Sequence, residues 1–266
     1  MVRGWSTCRS ANSYPGSVDM LPTRRRGDTL FARYAFPPNE LGYCGPPGSA
    51  TVGGVSELAG QAREFDGAWP YLRALAAAAG DTDVLDEDVV RSYWIGGGLL
   101  HDVDAEGLLV ALRRAFTGQV TGLLDAVPAG TALAHHSFHV FVVYPWARFL
   151  DRDPTTPIRI MQQCRIRSGT VESVDGDHVV VSTRPLTVDG GTLALGAAVS
   201  ERVRWRRDGS SLIPAPRPGD PVAAHWDWVC DALTEDDVAA LTAATQATLD
   251  LVNEIRTAVN QGAPTQ

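Results

Sequence analysis

Cysteine is scarce. The 266 residues hold Cys8, Cys44, Cys164 and Cys230, and no two of them form a Cys-x-x-Cys pair. Separations of 36, 120 and 66 residues exclude zinc-ribbon spacing and do not resemble a disulfide framework. The thiols are expected to be reduced and the protein cytoplasmic. Long apolar runs are missing too, so no membrane span is expected. Arg24-Arg25-Arg26 is followed by a segment that Arg33 and Glu40 interrupt. It reads as a solvated basic cluster, not a twin-arginine export signal. Net positive charge is absent: a formal charge of −8 argues against a nucleic-acid binder, whose affinity needs a basic surface. There is no internal repeat. Gly96-Gly97-Gly98 is not Gly-x-Gly-x-x-Gly and follows no strand, which argues against a dinucleotide site.

What is present suffices for a large core: 44% of the residues are hydrophobic and seven are Trp. The expected fold class is α+β, with a mainly helical N-terminal domain followed by a small antiparallel β-barrel and a C-terminal helix. The expected divisions are a flexible leader over 1–28, a mainly helical domain with one or two strands over 29–150, and the barrel plus helix over 158–260. The polar, Pro-bearing stretch 151–157 separates them.

Within the first domain, residues 29–50 are aromatic-rich but broken by four Pro and three Gly, which predicts an ordered loop in place of a long helix. Cys44 lies there, between Gly42 and Gly45, either as a thiolate presented to the site or as a small buried hydrophobe. Helices are predicted from Ser56 to about Phe65 and from Trp69 to Ala79, with Gly80 ending the second. Others start near Asp86 and Asp104. The last of these carries an apolar stripe over Leu108, Leu109, Leu112, Phe116, Val120 and Leu123.

The run from Ala134 to Trp146 is β-branched and aromatic and reads as a strand. His135 and His139 would then share one face at roughly 13 Å, too far for one metal ion, with His136 on the other face. These three histidines form a secondary candidate set, for hydrogen bonding or for a single-histidine role.

The chain reads as organised around Cys164 to His225, a thiol and an imidazole bracketing a β-rich unit. Short β runs fall at Thr170–Val174, His178–Ser182, Thr192–Leu195 and Arg202–Trp205, with turns at Asp175-Gly176-Asp177 and Asp189-Gly190-Gly191. Thr234, followed by Glu235, Asp236 and Asp237, caps a terminal helix.

Residues from about 161 to 252, about a third of the chain, resemble the HypC/HupF family of [NiFe]-hydrogenase maturation chaperones. The resemblance is carried by Cys164-Arg165-Ile166-Arg167-Ser168-Gly169-Thr170-Val171, against the family's Cys-Leu-Ala-Ile-Pro-Gly-x-Val. It continues through Asp175-Gly176-Asp177, through Gly219-Asp220-Pro221-Val222-Ala223-Ala224-His225, and through Leu233-Thr234-Glu235. Cys164 is internal, whereas the family's cysteine follows the initiator Met. The resemblance implies a β-barrel whose Cys164 and His225 hold an iron carrying cyanide and carbon monoxide. It also implies a HypD-like partner or a hydrogenase large-subunit precursor as client. Cys44 is a third candidate metal ligand from across the domain interface. Two other readings remain: an interaction scaffold without metal, or an enzyme using Cys44 or Cys164 as nucleophile with His139 or His225 as base. No complete Cys-His-Asn signature is visible, so a non-enzyme is the expectation.

Overall fold

The computed structural model describes residues 27–46 and 55–262. Cys8 and Arg24–Arg26, and with them nearly all of the expected leader, lie outside the described residues. The fold is α+β: helices, then a mixed sheet, then a long helix.

Helix α1 (Asp28–Glu40) occupies the stretch expected to be a loop. Pro37 and Pro38 fall in its last turn, so they remove donors only after Leu30, Phe31, Tyr34 and Phe36 have been placed in the core. Burying each of these side chains contributes roughly 2 kcal/mol, which outweighs two lost backbone bonds. Both prolines still accept at their carbonyls, from Leu41 and Tyr43. Helices α2 (Val55–Gly60), α3 (Trp69–Ala78), α4 (Glu87–Trp94), α5 (Leu99–Asp102) and α6 (Ala105–Ala115) follow. Asp86 and Asp104 cap α4 and α6 through their side chains, accepting from the backbone of Asp88 and Gly107. Helix α6 stops at Ala115, and Val120, expected on its buried stripe, is exposed.

The segment read as a strand is helical. Helix α7 (His136–Phe138) runs into a π-helical turn over His139–Val143. All of Phe138 to Val143 is buried. The apolar run therefore reflects burial on every side and carries no alternation of period two. A short 3₁₀ turn (Pro145–Phe149) leads to helix α8 (Thr155–Cys164), where the expected linker passes into an expected strand. Ile160, Met161 and Cys164 are its buried residues near the C-terminus.

Among the described residues nine strands follow: β1 (Arg167–Asp175), β2 (His178–Thr183), β3 (Leu186–Asp189), β4 (Thr192–Leu195), β5 (Val199–Arg204), β6 (Arg206–Arg207), β7 (Ser210–Ser211), β8 (Pro221–His225) and β9 (Trp228–Ala232). The pairings of the main sheet run β1-β2-β5-β9-β8, and β8 returns to β1. The expected all-antiparallel arrangement is corrected at one rung: β5 meets β9 in parallel at Arg204 and Trp228. Both expected hairpin turns are present, with Gly176, Gly190 and Gly191 at positive φ. Helix α9 (Glu235–Asn260) opens on a complete capping box between Thr234 and Asp237.

The helical layer and the sheet interlock. Phe36 of α1 meets Trp228 of β9 edge-on at 5.4 Å. Asp231 of β9 accepts Arg33 of α1 at 3.0 Å and lies 3.5 Å from Arg91 of α4. Ser137 of α7 hydrogen-bonds Thr248 of α9 at 2.7 Å. One contiguous core of buried side chains runs through both parts.

Candidate metal centre

Cys164 is the last residue of α8, and His225 is the last residue of β8. Two contacts bring these chain ends together. Trp226 donates its backbone N–H to the carbonyl of Gln163 at 2.8 Å. Arg167, 1% exposed, reaches the carbonyls of Gln162, Gln163 and Trp226 while forming a two-point pair with Glu201. Arg167 is thus the staple between helix and hairpin. Trp226 turns the hairpin at φ +52°, a left-handed conformation that costs a bulky residue about 1–3 kcal/mol. Its ring stacks on Tyr43 at 4.4 Å.

The third member comes from the segment expected to be a strand. Helical geometry places His136 beside Cys164 and His225, so that one donor atom from each lies within 4.8 Å of the others. All three residues are buried. His139, three residues on, falls on the same side, with its ring centroid 6.3 Å from that of His136. The expected strand, and with it the opposed faces of His136 and His139, is therefore overturned, because both residues are helical. His135 is set apart: its Nδ1 accepts the Ser137 backbone N–H at 3.1 Å, capping α7.

The ring protons follow from the partners. Nδ1 of His225 lies 2.7 Å from the carbonyl of Tyr34. A carbonyl only accepts, so Nδ1 carries the hydrogen and Nε2 keeps a lone pair. That Nε2 is buried and has no hydrogen-bond partner among the described residues. The Cys164 carbonyl also faces this ring, but a neutral imidazole has no second N–H to offer it. His136 is the opposite tautomer: Nε2 donates to the Cys164 carbonyl at 2.9 Å, leaving Nδ1 to accept from the Tyr93 hydroxyl at 3.1 Å. To ligate, His136 must release one of these two partners.

Burial keeps every member neutral. Desolvation lowers the pKa of His225 well below the usual histidine range, with nearby His136 and Arg167 adding to the effect. It takes His136 down to about 4, and His139 to about 3 with help from His136. The Cys164 thiol is pushed up by burial and then by neighbouring Cys44, and the Cys44 thiol is pushed up to about 12 by burial.

Cys44, His136, His139, Cys164 and His225 all line one cavity of about 290 Å³. Its walls are otherwise mainly apolar and aromatic. His135 and Cys230 are not on this wall. Cys44 is held by Asn39, whose amide donates to the carbonyls of Cys44 and Pro46 at 2.9 and 2.8 Å. Cys44 is not in the set within 4.8 Å; it faces that set from the cavity wall.

Residues 23–259 match the family described as "Family of unknown function (DUF6390)". The chain belongs to the DUF6390 family. No curated protein matches it, and no solved structure does.

In this DUF6390 chain the donor set is one thiol and two imidazoles, with a second thiol opposite. Such a set suits zinc, copper or iron; calcium and magnesium prefer oxygen donors. The His225 arrangement, one ring nitrogen fixed on a backbone carbonyl and the other bare, is the outer-shell pattern of a histidine ligand. Sequence reasoning had Cys164, His225 and Cys44, and held His136 in reserve. It missed Tyr34, Tyr93 and Arg167, which act through backbone carbonyls and ring tautomers that no motif encodes.

Proposed function

We propose that this protein is an accessory protein of metal-centre assembly. It binds a thiolate-preferring transition metal through Cys164, His225 and His136, with Cys44 available as a further donor. The supporting observation is the buried Nε2 of His225, which has no partner among the described residues, on a histidine that offers a donor atom within 4.8 Å of those of His136 and Cys164. An unpaired buried polar atom costs about 1–3 kcal/mol, and a metal ion would offset that cost.

The resemblance of residues 161–252 to the HypC/HupF barrel makes iron, carried with cyanide and carbon monoxide, the metal of this reading. It also makes a hydrogenase large-subunit precursor or a HypD-like protein the partner, and the cytoplasm the location. Among the described residues no helix is long and apolar enough to cross a membrane. Bound iron would supply a soft Lewis acid for such ligands. The chain supplies the rest: it orients two imidazoles, offers a thiol that would release its proton to solvent as the metal binds, and excludes water with aromatic walls. A nucleophilic role for Cys44 or Cys164 is disfavoured by thiol pKa values raised by burial, since a reactive cysteine needs a lowered one.

Anaerobic expression with hydrogenase accessory proteins, then metal analysis and infrared spectroscopy, tests this reading. Wild type should carry iron with cyanide and carbonyl stretches, and Cys164→Ala and His225→Ala should lose both. An equal iron load in Cys164→Ala overturns the ligand assignment. Metal-free wild type with a stoichiometric copurifying partner supports the scaffold reading instead.

A further inference from the structure

Two tryptophans on the cavity wall have indole N–H groups that the metal reading leaves unexplained. Trp94 is 4% exposed and Trp226 is 8% exposed, and both line the cavity that holds the three ligands. The Nε1 of each is buried and has no hydrogen-bond acceptor among the described residues. Buried donors are nearly always paired, so two orphans on one cavity, beside the orphan acceptor of His225, point to a ligand that pairs them.

We infer that Trp94 and Trp226 donate their indole N–H groups to the outer end of a small anionic ligand carried by the metal. This inference rests on the metal reading above. Three protein donors leave a first-row transition metal at least one further position, and that position has a largely apolar cavity of about 290 Å³ beside it. Indole is a donor only, so the atom it meets must be an acceptor. A linear anion with one end on the metal and a lone pair at the other, the class of cyanide or azide, meets both demands.

Both rings are placed for this role. Trp94 lies 4.6 Å from the His136 ring and 5.9 Å from the His225 ring, and it stacks on Tyr34 at 5.3 Å. Trp226 directly follows His225. Its left-handed φ of +52° is held by the Gln163 carbonyl and by the Tyr43 stack. Backbone strain at a bulky residue next to a ligand is consistent with a side chain that must face one direction.

The test uses the full chain, labelled with ¹⁵N at its indoles, with Co(II) as the metal and azide as the exogenous ligand. Visible absorption of cobalt first reports thiolate and imidazole ligation. On adding azide, two of the seven indole signals, those of Trp94 and Trp226, should move downfield. Contacts of these rings to Tyr34 and Tyr43 assign the signals without any variant. Trp94→Phe and Trp226→Phe should each bind azide about tenfold more weakly, the scale of one charge-assisted hydrogen bond, with the cobalt spectrum unchanged.

Azide binding that leaves both signals in place overturns the inference, and so does equal azide affinity in both variants. Movement of the two signals on cobalt alone, before azide, makes a metal-bound water the acceptor and overturns the anion. Failure of wild type to take up cobalt overturns the metal reading, and this inference falls with it.

Discussion

The imidazole of His225 donates to the backbone carbonyl of Tyr34 at 2.7 Å, joining the end of β8 to the middle of α1 across 191 positions of chain. This bond fixes which nitrogen of His225 is bare, so the helical layer decides the chemistry of a residue on the sheet. It also sets up a contrast between substitutions. His225→Ala removes a fully buried ring and should cost the metal-free protein about 3 kcal/mol. His225→Leu fills most of that space. It removes the unpartnered Nε2, and it leaves the Tyr34 carbonyl unpaired, two effects of similar size and opposite sign. Its metal-free stability should therefore stay within about 1 kcal/mol of wild type, while metal binding is lost in both. Urea midpoints with and without metal check this. Equal destabilisation by Leu and Ala would remove the case for an orphaned nitrogen.

Acid should unfold the metal-free protein early. Burial lowers His136 to about 4 and His135 and His139 to about 3, and it lowers His225 as well. In the unfolded chain each titrates near 6.5. Folded values below unfolded ones mean that the unfolded state takes up more protons below pH 6.5. Stability is therefore complete above that pH and falls as pH drops towards the folded values. Each imidazole contributes a slope of about 1.4 kcal/mol per pH unit. Four together exceed the roughly 5–15 kcal/mol of a typical domain within a few units, so tryptophan fluorescence should show cooperative unfolding near pH 5. A flat stability between pH 6.5 and 5 would contradict the burial of these rings as neutral groups.

The two ends of the site were legible in the sequence, and the middle was not. Cys164 and His225 stand out as the bounds of a β-rich unit whose turns, at Gly176 and at Gly190-Gly191, need positive φ and announce themselves. The caps Asp86, Asp104 and Thr234 were equally plain. His136 was misplaced because Val140, Phe141, Val142 and Val143 carry strand propensity but are buried all round, which erases the periodicity that separates helix from strand. Helix α1 was missed because two prolines usually end a helix, and here they only end its last turn. Neither Tyr34 nor Arg167 could be read as part of the site. Tyr34 acts through its main-chain oxygen, and Arg167 through carbonyls that approach one another only in the fold.

The Cys44 loop should be closed against small reagents. Gly45 sits at φ +82°, and a Cβ there would come within 2.3 Å of the Phe65 ring. Gly45→Ala must push the loop away from Phe65, and Asn39→Ala removes the two bonds that clamp it. Iodoacetamide labelling near neutral pH, followed by mass spectrometry, should find Cys44 slow to react in wild type, as expected for a half-buried thiol raised to about 12. Either variant should label about tenfold faster or more, as exposure returns the thiol towards its ordinary pKa near 8.5. Fast labelling of wild-type Cys44 would favour the enzyme reading.

Proton release counts the thiolate ligands. At pH 7.5 the thiols of Cys164 and Cys44 are protonated, and the imidazoles of His136 and His225 carry no extra proton to lose. A metal ion takes sulfur as thiolate and nitrogen as neutral imidazole. Uptake of one divalent ion should therefore release one proton if Cys164 is the sole thiolate ligand, and two if Cys44 closes onto the same ion. Calorimetric titration in two buffers of different ionisation enthalpy gives the number directly. A value of two that falls to one in Cys44→Ser places Cys44 in the coordination sphere. A value of one in both leaves Cys44 on the cavity wall, and a value of zero removes Cys164 from the ligand set.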